Sequence, residues 1–141
     1  MPNETRPLYI LGVYISTRLK ADRYHDCLSA LSAIILKIKS EANCPYIILA
    51  GDFNRKDVEE AIGDYPDIKL IKTGGTRNGS ALDLCATNIE NLRECLNHPP
   101  LATQDGHSSD HNFLTFCFDL QHCHHFKWIK VKSRKVMEQA V

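Results

Sequence analysis

Residues 46–50, Tyr-Ile-Ile-Leu-Ala, form an unbroken apolar run that Gly51 closes. The run is too short for an ordinary helix and shows no apolar–polar alternation, so it predicts a central strand covered on both faces. Residues 8–14 show the same character, interrupted only at Gly12, and predict a first strand. Between the two the period changes. Tyr24, Cys27, Leu28, Leu31, Ile34, Ile35 and Ile38 recur at helical spacing with Lys37 and Lys39 opposite, the pattern of an amphipathic helix. Asp22 is the expected N-cap. Cys44-Pro45 is the expected stop, because the residue before a proline is pushed away from helical angles. Strand, helix and strand in this order place the chain in the α/β class.

Downstream, residues 56–62 suit a short helix and residues 68–71 a short strand. Residues 73–80, with three glycines and the pair Asn78-Gly79, read as a turn-rich loop. Residues 82–87 and 113–118 predict two more buried strands. Between them, residues 97–111 carry Pro99, Pro100 and Gly106 and form a loop long enough that function is its usual explanation. One domain is expected over residues 8–120, because a chain of 141 residues can build one core and hardly two. Residues 121–141 follow as a basic tail, either packed or a linker.

Lys plus Arg and Asp plus Glu both total 17, so no overall field draws the chain to a polyanion or an anionic membrane. No apolar run approaches the ~18 residues of a membrane span or resembles a signal peptide, which makes an intracellular protein the default. Cys27, Cys44, Cys85, Cys95, Cys117 and Cys123 are scattered and several fall in apolar runs. Reduced, mostly buried thiols are expected rather than a disulfide framework. His122, Cys123, His124 and His125 are the densest group of soft ligands, but consecutive residues do not readily close a tetrahedral zinc site, and a solvated segment is expected there.

The chemistry concentrates in three places. Asp52 and Asn54 stand two apart where a strand gives way to a loop, the position at which open α/β sheets bind ligands, although both residues are also common in plain turns. Ser109-Asp110-His111 sets a carboxylate beside an imidazole suited to proton transfer near neutrality, or is simply a polar loop end. Asp83 is the most informative, since it lies within the apolar stretch Leu82-Asp83-Leu84-Cys85-Ala86 and a buried carboxylate needs a partner. His111 is the favoured partner, a carboxylate on one ring nitrogen fixing the tautomer and aiming the other nitrogen at substrate. Acids, an amide and an imidazole without a zinc spacing suit a hard cation and its bound phosphate.

In chain order, Gly51-Asp52-Phe53-Asn54, then Thr76-Arg77, then residues 82–88 (Leu-Asp-Leu-Cys-Ala-Thr-Asn), then Ser109-Asp110-His111 before an apolar strand resemble the endonuclease/exonuclease/phosphatase superfamily. The closest look is to the endonuclease domains joined to reverse transcriptases in non-LTR retroelements, and the resemblance covers residues 8–120. It implies a partial four-layer α/β sandwich, the C-terminal half of that two-sheet fold. It implies magnesium-dependent phosphodiester hydrolysis, with manganese as the alternative ion, DNA as the substrate and a nuclear site of action, while the catalytic motifs alone do not choose between DNA, RNA and a small phosphate ester. Asp52 and Asn54 would hold the attacking water and the phosphate, Asp110 would support the metal, and Thr76 would add a phosphate contact. His111, oriented by Asp83, would act on the water or stabilise the phosphorane, and Tyr14 matches the tyrosine that approaches the phosphate, although Ser16 stands where a proline is typical. The family's N-terminal half supplies an asparagine and a metal-ligating glutamate that this sequence does not contain in any matching motif. Weak or absent activity is therefore expected, and the alternative is a non-catalytic remnant that binds nucleic acid or a protein partner, with a lost N-terminal half or downstream reverse transcriptase. Lys127, Trp128, Lys130, Lys132, Arg134 and Lys135 form a basic stretch that suits a nucleic-acid backbone by charge and stacking, or a solvated linker.

Overall fold

The computed structural model describes residues 6–54, 62, 65–71, 74–77, 80–99, 110–119 and 126–128. The first two apolar runs become β1 (Leu8–Tyr14) and β2 (Tyr46–Asp52), which pair in parallel from Leu8 opposite Tyr46 to Tyr14 opposite Asp52. Parallel neighbours need a crossover of a dozen residues or more, and α1 (Ala21–Glu41) supplies it. The sheet continues through β3 (Lys69–Ile71) and β4 (Asp83–Thr87), which run antiparallel to each other, with β4 antiparallel to β2. A second, two-stranded sheet is formed by β5 (Arg93–His98) and β6 (Phe113–Cys117), and β7 (Phe126–Trp128) joins the free side of β1 in parallel. The larger sheet has the order β3-β4-β2-β1-β7. The described residues thus form a mixed α/β fold with two sheets and one helix.

Each face of the large sheet buries a separate cluster. On one face Tyr24, Ile35 and Ile38 of α1 meet Leu11, Ile47, Leu49, Leu84 and Ala86. On the other, Leu8, Ile48 and Cys85 pack with Phe116 and Phe118. The alternation along β2 and β4 assigns neighbouring residues to opposite clusters, as the pleat requires. With Ile47 and Leu49 buried on one face and Ile48 on the other, β2 is covered on each side, the reason its sequence is apolar without interruption.

Several expectations change at the edges of elements. Lys20, not Asp22, is the N-cap of α1, and it makes no side-chain cap; Asp22 lies in the first turn, where a carboxylate complements the helix dipole. The helix ends at Glu41, before the Cys44-Pro45 step, and Cys44 takes a positive φ of 46° with its carbonyl accepting from Arg6 Nε at 2.6 Å. Gly51 does not end β2; it lies inside the strand at φ 151°. A Cβ there would fall 1.8 Å from the Val13 carbonyl oxygen, so the close approach of β1 admits only glycine. β5 is a strand that no apolar pattern predicts, and Asn97 and His98 are strand rather than loop. The strands expected over residues 68–71, 82–87 and 113–118 are each shorter by a residue.

The expectation of mostly buried cysteines fails among the described residues: Cys85 is buried and Cys27 partly so, whereas Cys44, Cys95 and Cys117 are exposed. Lys127 and Trp128 of the basic stretch fall in strand β7 against β1; Lys130, Lys132, Arg134, Lys135, Ser109, most of the short helix over residues 56–62 and the His122–His125 group lie outside the described residues. No helix among the described residues is long and apolar enough to cross a membrane.

Candidate active site

One row of the large sheet carries the site. The register sets Tyr14 of β1 beside Asp52 of β2 and Asp52 beside Asp83 of β4, and residues in register share a face. That face is the one the small sheet covers, and the row lies where β1 and β2 end. Tyr14 is 74% exposed there. His111 enters from the segment just before β6. Its Nδ1 stands 2.6 Å from Asp83 Oδ2, and since a carboxylate can only accept, the proton between them belongs to the imidazole. The other ring nitrogen, Nε2, faces Asp52 Oδ2 and Asp110 Oδ1, each at 3.7 Å. These separations exceed a direct hydrogen bond. The imidazole is therefore clasped on one side and faces a pair of carboxylates on the other.

Asp52 uses its oxygens differently. Oδ1 accepts the Asn54 backbone N–H at 2.9 Å, and Oδ2 is the one turned to His111. Asn54 holds φ 52°, a left-handed conformation that asparagine tolerates better than most residues. Its side-chain amide donates to the Ile15 carbonyl at 2.6 Å, tying the ends of β1 and β2 together. Strand ends are also joined by Ile15 N–H donating to Asp52 O at 2.9 Å. The polar turn after β2 is thus fixed from both sides.

Thr76 is completely buried. Its hydroxyl donates to Ser80 O at 3.2 Å and accepts the backbone N–H groups of Leu82 at 3.1 Å and Asp83 at 3.2 Å. A phosphate cannot reach it; it supports Asp83 from beneath. Arg77, whose type and position alone assign it no role, pairs with Asp110, Nη2 to Oδ2 at 2.6 Å. In sequence it is an ordinary loop cation, so only its place in the Thr76-Arg77 motif hinted at a use.

Asp52, Asp83 and His111 offer ligand atoms all within 4.8 Å of one another. Three carboxylates, counting Asp110, gather against one guanidinium, an acidic excess that favours a cation over a bare anion. Carboxylate oxygens without a thiolate in the group are the donors that magnesium or manganese takes, and magnesium commonly keeps most of its waters and accepts one or two carboxylates. The donor set fits such an ion.

Fold and site together define a mixed α/β protein with an Asp–His pair set against two further carboxylates at the end of a parallel strand pair. No protein-family model matches the chain, and no curated protein or solved structure is significantly similar to it.

Proposed function

We propose that the chain is built for metal-dependent phosphodiester hydrolysis, with DNA as the substrate, in the manner of a retroelement endonuclease. The observation that carries this reading is the position of His111 between Asp83 at 2.6 Å and the oxygens of Asp52 and Asp110 at 3.7 Å. A histidine held by one carboxylate presents its second nitrogen for proton transfer in a fixed direction. Asp52 orients the attacking water through Oδ2, and Nε2 accepts or returns the proton at the phosphate. Tyr14, exposed in the same row, approaches the phosphate from the side. Asp110 and Asp52 would hold magnesium or manganese, which supplies charge neutralisation at the phosphoryl oxygens when bound. The acidic character of the site needs that neutralisation before a DNA strand can enter, because carboxylates and phosphates repel.

The order of the motifs supports the same class, since Gly51-Asp52-Phe53-Asn54, Thr76-Arg77 and Asp110-His111 stand as in the endonuclease/exonuclease/phosphatase superfamily. On this reading the large sheet, with the helix on one face and the small sheet on the other, is the C-terminal half of that family's two-sheet, four-layer sandwich.

The test is nicking of supercoiled plasmid by the purified chain. Slow nicking is expected that requires magnesium or manganese, stops with EDTA and is abolished in His111→Ala. A folded chain that nicks no faster than His111→Ala at any magnesium concentration would sink the proposal and leave a binding role instead.

A further inference from the structure

We propose that Arg77 is a positioning residue, whose guanidinium holds the Asp110 carboxylate so that its second oxygen stays turned toward His111 Nε2. The inference rests on the phosphodiesterase reading for the reaction served, while the positioning is a property of the protein without any ligand. Arg77 Nη2 lies 2.6 Å from Asp110 Oδ2, and Asp110 Oδ1 lies 3.7 Å from His111 Nε2. The two oxygens of one carboxylate thus link the guanidinium to the imidazole. The Asp110 side chain is 60% exposed, so packing alone does not select its rotamer. Arg77 itself is mounted on a stiff frame. Its N–H donates to Ser80 O at 3.0 Å and its carbonyl accepts from Ser80 N–H at 2.8 Å, while the adjacent Thr76 carbonyl accepts from Asn112 N–H at 2.7 Å. Asn112 also donates through Nδ2 to Gly75 O at 3.2 Å. These bonds stitch the segment bearing Arg77 to the segment bearing Asp110 and His111, so the ion pair bridges two fixed backbones.

Exposed ion pairs contribute little to stability. The consequence of this one is directional, because it selects among rotamers of an acid that would otherwise sample several. Arginine suits the task better than lysine, its planar fork fixing orientation as well as charge.

The experiment records the ring nitrogen signals of His111 by NMR at one pH in the metal-free wild type, Arg77→Gln, Arg77→Lys and Asp110→Asn, with thermal melts alongside, and then titrates each with manganese chloride. Arg77→Gln is expected to melt within about 5 °C of the wild type. Its Nε2 signal should move in the direction seen for Asp110→Asn, while the Nδ1 signal held by Asp83 stays in place. The manganese concentration that broadens His111 should rise about tenfold in Arg77→Gln, the loss of Asp110 orientation outweighing the loss of a nearby positive charge, with partial recovery in Arg77→Lys. An Nε2 signal unmoved in Arg77→Gln overturns the proposal, whether or not Asp110→Asn moves it. If the wild-type signal ignores manganese, the cation-dependent reading fails, and the metal-free shifts still decide the role of Arg77.

Discussion

Asp83 shows how a single residue constrains a site. Placed in a strand whose neighbours Leu84, Cys85 and Ala86 are all buried, its carboxylate finds its partner in His111 Nδ1 at 2.6 Å. Under the proposed reaction, Asp83→Asn keeps the shape but exchanges a charged carboxylate for a neutral amide whose NH2 can donate to Nδ1 and hold the wrong tautomer, and nicking should fall by roughly 10²–10⁴-fold with little change in melting temperature. An Asp83→Asn protein as active as the wild type would show that the imidazole needs no orientation. Gly51 makes the opposite kind of demand, for the absence of a side chain. With a Cβ placed 1.8 Å from Val13 O, Gly51→Ala must separate β1 from β2, and a loss of roughly 3–5 kcal/mol is expected in urea denaturation. Asp83 was readable because a carboxylate in an apolar run demands a partner. The demand at Gly51 was not, because a glycine at the end of an apolar run looks the same whether it stops a strand or lets a neighbour approach.

Among the elements, β2 and β4 are tied by more than their ladder. Thr87, buried, donates its hydroxyl to Ile47 O at 2.7 Å and accepts Ile89 N–H at 3.1 Å. Asn88 accepts Ile47 N–H and donates to Pro45 O, both at 2.8 Å. Thr87→Val removes a hydroxyl whose partners stay buried, and should cost about 1–3 kcal/mol, read from the shift in denaturation midpoint. Cys85, next but one before Thr87, gives β4 a pH signature. Burial pushes its thiol from 9.0 up to about 11, so the folded state favours the neutral form. The resulting stability is fully present below pH 9 and is lost as pH rises through 11, roughly 2–3 kcal/mol in all. Cys85→Ala should flatten this part of the stability curve relative to the wild type, and equal slopes between pH 8 and 11 would refute the assignment. β5 eluded the sequence because Arg93, Cys95, Leu96, Asn97 and His98 are all exposed, leaving no period to detect. Its strand character comes from pairing with β6, through a register shift between Glu94 and Leu96.

For the whole molecule, the order of strands decides which residues become neighbours. β7 is the last of the described strands yet lies against β1, with Leu8 opposite Phe126 and Ile10 opposite Trp128. A chain ended at Asp119 should expose that side of β1, a row of unpaired backbone groups that invites association. Faster hydrogen exchange over residues 8–10 and earlier elution on size exclusion are expected. Unchanged exchange there would count against the pairing. The same ordering puts β4 between β3 and β2, and so brings Asp83 next to Asp52.

By itself, the sequence determined the α/β class, the two central strands, the long helix and the identity of the acids and the histidine, because burial on both faces and helical periodicity are written locally in residue type. Tertiary structure decided what those residues do to one another. The antiparallel pairing of β4 with β2 sets the row Tyr14, Asp52, Asp83, and the approach of the segment before β6 inserts His111 between carboxylates. The pairing of Arg77 with Asp110 likewise needs two loops brought together by Thr76 and Asn112. Such contacts depend on strand order and register, which are settled by how the whole sheet buries its two faces and not by any one stretch of chain.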